Sequence, residues 1–110
     1  MNSIVKKEVK IIIKRKSLNC SVEKFQDKIN WNWICRFQKI SEDFIREFQY
    51  KVNWNSISYF QKLSEDFICE FQEKLDIEWL IENNKIAKER LLELREINSI
   101  HSRFEILDIR

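Results

Sequence analysis

SEDFIREFQYKVNWNSISYFQKL, residues 41–63, decides the fold, because the same 23 letters stand in altered copies on both sides of it, at 18–40 and at 64–86. Residue types return in phase through the three copies: Phe25, Phe48 and Phe71; Ile29, Val52 and Leu75; Asn30, Asn53 and Asp76; Ile34, Ile57 and Leu80. The first copy matches the middle one mainly in its second half, and the third matches it mainly in its first half. Residues 41–63 are therefore the consensus unit. End units of a repeat array face something other than a neighbour, so divergence at the two ends is the pattern expected of caps.

Within the consensus unit the spacing predicts a helical hairpin. Ser41 is an N-cap residue, and Glu42 and Asp43 place negative charge on the first turn, where the helix dipole favours it. Phe44, Ile45, Phe48 and Val52 then share one face at helical spacing. Asn53 restarts the chain as a second cap, after which Trp54, Ile57 and Phe60 form the stripe of a second helix ending near Lys62. Two helices of about 11 and 9 residues are each too short to hold alone, so stacking of units has to supply the stability.

The flanks read differently. Residues 85–99 predict one longer helix closing the stack, with Ala87, Leu91, Leu94 and Ile97 inside. Residues 8–14 (EVKIIIK) are rich in β-branched side chains, and 103–110 (RFEILDIR) alternate apolar with charged, so the two termini are expected to pair as a small antiparallel ribbon. A helix over 4–13 is the alternative that the three successive isoleucines argue against. The expectation is a single mainly α domain over 1–110: a basic strand-like segment at 1–17, three repeats, a capping helix at 87–100, and a strand-like end at 101–110 that makes the class α+β if the ribbon forms.

Composition excludes several chemistries. The chain has no glycine and no proline, which removes Walker loops, dinucleotide fingerprints and other glycine-dependent phosphate cradles, and leaves Asn, Asp and Ser to make the turns. No apolar run is long enough for a membrane span, and no signal-peptide pattern fits, so a cytoplasmic protein is expected. Cys20, Cys35 and Cys69 are odd in number and occupy non-equivalent repeat positions, which argues against a disulfide framework or a zinc site and for free thiols used as small apolar groups. His101 is the single histidine and has no nucleophile at a recognisable spacing, while the Glu42–Asp43 and Glu65–Asp66 pairs recur because helix starts recur. No catalytic residue, metal or cofactor is called for.

Binding residues are better supported. Residues 1–17 carry Lys6, Lys7, Lys10, Lys14, Arg15 and Lys16 against the lone Glu8, whereas the repeats are net acidic. This segment is a candidate for contact with nucleic-acid phosphates or an acidic partner, although lysine on an edge strand also serves simply to block edge-to-edge pairing. An unblocked edge would instead allow homo-oligomers. Trp31 and Trp54 align with Ile77 and are read as core. Trp33 stands where the consensus unit has the polar Ser56, Tyr59 aligns with Arg36 and Glu82, and Tyr50 aligns with Asp27 and Glu73. Trp33, Tyr50 and Tyr59, with the cations Arg36 and Arg46, are the candidate anchors for a protein partner.

The run SEDFIREFQYKVNWNSISYFQKLSEDFICEFQEK, residues 41–74, resembles a short repeat, SEDFI followed by EF and then a W-x-x-I-S stretch, found in proteins of giant DNA viruses and phages whose functions are largely unassigned. The resemblance implies a helical repeat scaffold and a viral or mobile-element origin, and no activity. It weakens in the third unit, where Ile77 replaces Trp and Asn83-Asn84 replaces Phe-Gln. A small binder from such a source is expected to inhibit a host protein in the host cytoplasm, an RNA-guided defence nuclease (an anti-CRISPR role) or another nucleoprotein complex being the example. A nucleic-acid-binding accessory protein and a self-assembling scaffold are the other readings.

Overall fold

The structure, a computed structural model, describes residues 1–97. Those residues are mainly helical and contain no strand: α1 Ser3–Arg15, α2 Phe25–Lys28, α3 Trp31–Phe37, α4 Glu42–Glu47, α5 Trp54–Phe60, α6 Glu65–Glu70, α7 Ile77–Glu82, and α8 over 88–97. The chain divides into two compact units, Met1–Lys62 and Leu63–Arg110. The strand expected at 103–110 and His101 lie outside the described residues.

The caps are where the sequence places them. Ser41 Oγ accepts from Phe44 N at 3.1 Å and Ser64 Oγ from Phe67 N at 3.2 Å, opening α4 and α6. Asn30, Asn53 and Asp76 each accept at 3.1 Å from the N–H three residues on, opening α3, α5 and α7. The first helix of the hairpin is shorter than the expected 11 residues, because Phe48 and Phe71 leave helical geometry and the chain turns through 48–52 and 71–75. Trp54 Nε1 uses that break, donating to the freed carbonyl of Gln49 at 3.0 Å, and Trp31 does the same to Gln26. Ile77 offers no such donor and the third copy turns all the same, so the turn does not depend on the indole. In the first copy Leu18, Asn19 and Cys20 replace Ser-Glu-Asp, and before Asn30 only the four residues of α2 are helical.

The N-terminal segment corrects the strand expectation. Residues 3–15 form the longest helix given bounds here, capped by Asn2 Oδ1 accepting from Val5 N at 2.8 Å. Its buried side chains are Val5, Val9 and Ile12, a helical stripe, while Ile11, which a strand would have buried beside Val9 and Ile13, is 54% exposed. The helix penalty of a β-branched residue is a few tenths of a kcal/mol, whereas burying each apolar side chain contributes about 1.5–3 kcal/mol. Packing decides. With 8–14 helical, that segment has no strand edge through which copies could pair.

In the unit 1–62, α1 packs on α4 and α3 packs on α5. Phe25, Trp31, Phe44 and Phe48 form one ring cluster with centroid separations of 4.8 to 6.3 Å. In the unit beginning at Leu63, Phe67, Ile68, Phe71, Leu75, Leu80, Leu91 and Leu94 are buried. Two of the four residues expected inside the last helix, Ala87 and Ile97, are exposed, so its buried stripe is narrower than the sequence suggests. Arg90 pairs with Glu65 at 3.4 Å, and Arg95 Nε donates to Gln72 Oε1, fastening α8 to the α6 segment.

Without glycine, two helices still end in left-handed caps. Ser17 (φ 52°) and Asn84 (φ 58°) each follow a helix whose last carbonyls are taken up in the paired bonds of a Schellman turn: Leu18 N to Ile13 O at 2.9 Å and Lys85 N to Leu80 O at 2.8 Å. Both residue types belong to the turn set that a glycine-free chain has to use.

Candidate partner-binding surface

The surface is built where α3 and α5 end. The two helices lie side by side 23 residues apart in sequence, so equivalent residues at their C-terminal ends face outward together. Phe37 is 67% and Phe60 51% exposed, and the Arg36 guanidinium lies over both rings, 5.2 Å from the first centroid and 5.1 Å from the second. Tyr59 meets Phe60 edge-on at 6.4 Å. Lys39 and Lys62, at matching positions just past the helix ends, complete a shallow groove of ≈ 310 Å³ that contains no acidic residue.

The floor of this groove is fixed by Gln61. Its amide Nε2 donates to Cys35 O at 2.9 Å and to Gln38 O at 2.8 Å, and its Oε1 accepts from Ile40 N at 3.2 Å. One side chain thus satisfies main-chain groups left open at the end of α3 and sets the spacing of the two helix ends. Asn53 adds a second link, with Nδ2 donating to Asn32 Oδ1 at 3.0 Å and its N–H to Cys35 Sγ at 3.4 Å. Cys35 itself is fully buried, and burial pushes its thiol above the usual range, with the Asn53 N–H a smaller opposing influence.

Of the residues expected from sequence, Arg36 and Tyr59 belong to this surface. Trp33 does not stand free: it is half-buried, with Lys16 Nζ 4.1 Å above its ring. Ser56 at the equivalent position suggested exposure, but the third copy has Trp79 there, also half-buried. Tyr50 is 86% exposed, on the 48–52 turn and outside the groove. Arg46 pairs with Asp43 at 3.3 Å within α4 and lines a separate hollow with Asn2 and Glu47. The basic segment is split: Lys6, Lys7, Lys10 and Lys14 are exposed along α1, whereas Arg15 donates to Gln38 Oε1 at 3.0 Å and Lys16 covers Trp33.

Phe37 and Phe60 are the residues that sequence reasoning missed. Phe60 completes an apolar stripe on paper, yet its helix has no further turn to cover it. The available signal was the third copy, where Asn83 takes the same position; a site that accepts Asn is a surface site.

Among the described residues no group of three or more His, Cys, Asp or Glu side chains is placed to hold a metal ion, and no helix is long and apolar enough to cross a membrane. Comparison with protein-family models, curated proteins and solved structures finds no match.

Proposed function

We propose that the chain is a non-catalytic helical-repeat module that binds a protein partner through the groove at the ends of α3 and α5. The observation that carries this reading is the exposed pair Phe37 and Phe60 with Arg36 between them. Leaving two phenylalanines in water forgoes the stabilisation that burial would give, and aromatic residues with arginine dominate the binding energy of protein interfaces. The groove's three cations and lack of acids suit an acidic partner segment carrying an apolar side chain. In this reading the groove belongs to the first two of the three sequence units.

The resemblance of residues 41–74 to viral and phage repeat proteins makes a host protein, such as an RNA-guided defence nuclease in the host cytoplasm, the first partner to test. Affinity capture from host lysate, with and without nuclease, should recover one host protein in both arms. The double variant Phe37→Ala/Phe60→Ala should lose it while keeping its fold by circular dichroism. Recovery of the same protein by the variant, or only of further copies of this chain, would overturn the proposal.

A further inference from the structure

We propose that the outward face of α1 is a second, independent contact surface, and that it takes the sugar-phosphate backbone of duplex nucleic acid without regard to sequence. Val5, Val9 and Ile12 turn one side of the helix into the core. On the opposite side Lys7, Lys10 and Lys14 recur at the i, i+3, i+7 spacing of a single stripe, with Lys6 beside them, all exposed. At 1.5 Å per residue the four cations span about 12 Å of helix axis.

Two features set this face apart from an ordinary solvated one. The helix has one acid, Glu8, and its carboxylate is taken: it accepts from Ser41 N at 3.0 Å and from Ser41 Oγ, at the start of α4. It is therefore committed away from the lysines, none of which has an ion pair among the described residues. Further, lysine here does not guard a strand edge, because the segment is helical. An unneutralised cationic stripe on a helix held rigid by three buried side chains complements duplex DNA, which carries one negative charge per roughly 1.7 Å of its axis. A single-stranded ligand would call for stacking rings along the stripe, and α1 contributes only the aliphatic Ile4 and Ile11.

The experiment is a salt titration of binding to a fluorescein-labelled 20-base-pair duplex, read by anisotropy. Four phosphate contacts predict a log–log slope of about −3.6, so affinity should fall on the order of 100-fold between 50 and 200 mM salt. Changing Lys6, Lys7, Lys10 and Lys14 together to Ser should remove most of that slope. Changing Lys24, Lys28, Lys51 and Lys88 to Ser removes the same net charge elsewhere and should leave the slope in place. An equal loss in both variants would reduce the effect to net charge and overturn the proposal, as would absence of duplex binding at 50 mM salt. Poly-glutamate or phosphatidylserine vesicles competing as well as unlabelled duplex would assign the face to an acidic protein or a membrane surface, and would equally overturn it. Circular dichroism of both variants confirms that α1 is retained.

Discussion

The side-chain amide of Gln61 donates to the main-chain carbonyl of Cys35 at 2.9 Å, joining α5 to α3 by a bond that no pairing of main chains provides. The same amide reaches Gln38 O, and its oxygen accepts from Ile40 N. Gln61→Leu should keep the volume and lose all three bonds, leaving part-buried main-chain groups open. The expected cost is about 1–3 kcal/mol in urea unfolding followed by circular dichroism. Gln38→Leu gives up the solvent-exposed bond from Arg15 and should cost less.

Phe48 and Phe60 have the same chemistry and opposite settings. Phe48 lies in the ring cluster, 4.8 Å from Phe44 and 5.8 Å from Phe25, and Phe48→Ala should destabilise by about 3–5 kcal/mol. Phe60→Ala, and Lys51→Ala on the exposed side of the 48–52 turn, should each stay within about 0.5 kcal/mol of wild type in thermal melts. A large loss from Phe60→Ala would mean that its ring is covered and would remove the basis of the groove.

Glu8 is expected to be the most sensitive charged residue of α1. Glu8→Ala strips two hydrogen bonds, one of them to the hydroxyl that caps α4, and should cost about 1.5–3 kcal/mol because a charged acceptor is lost. Glu8→Gln keeps one acceptor and should recover part of it. Lys10→Ala on the same helix, tested in parallel by chemical denaturation, should be close to neutral.

Cys35 should make stability depend on pH on the alkaline side. Burial raises its folded-state value above the ordinary 9.0, so below that pH both states hold the proton and the thiol adds no pH dependence. As pH rises past it the unfolded chain releases the proton and the folded chain retains it, so stability falls with pH. Cys35→Ala, although less stable throughout, should lack this component of the slope. Under native conditions a thiol reagent should label the partly exposed Cys20 first and reach Cys35 only on unfolding.

What the sequence made legible were the features written in local chemistry. Ser41, Ser64, Asn30, Asn53 and Asp76 each announce a helix start, and each cap is present. Phe25, Phe44 and Phe48 announce the core through their phase. The readings that failed depended on what lies beyond the local stretch. The isoleucines of 11–13 have a real preference for extended chain, outweighed by burial of Val5, Val9 and Ile12 on one helical side. Phe60 has the spacing of a core residue and no neighbour to bury it. Trp33 reads as free until Lys16, distant in sequence, settles on its ring. Arg36 and Tyr59 could be singled out as variable repeat positions, but nothing in their spacing says that the guanidinium lies over two exposed rings.

The Gln61 bond has a consequence for how such a chain can lengthen. Gln61 donates back to the main chain at the end of α3, and Gln38, at the matching position, accepts from the Arg15 side chain at the end of α1. A tandem duplication of residues 41–63 would arrive with its own rung and a receiving carbonyl, ready to splice in frame. A duplication of 64–86 would carry Asn84, whose side chain is one methylene short of that reach and whose main chain is already committed to a left-handed stop. A duplicated 41–63 segment should therefore be accepted more readily than a duplicated 64–86 segment.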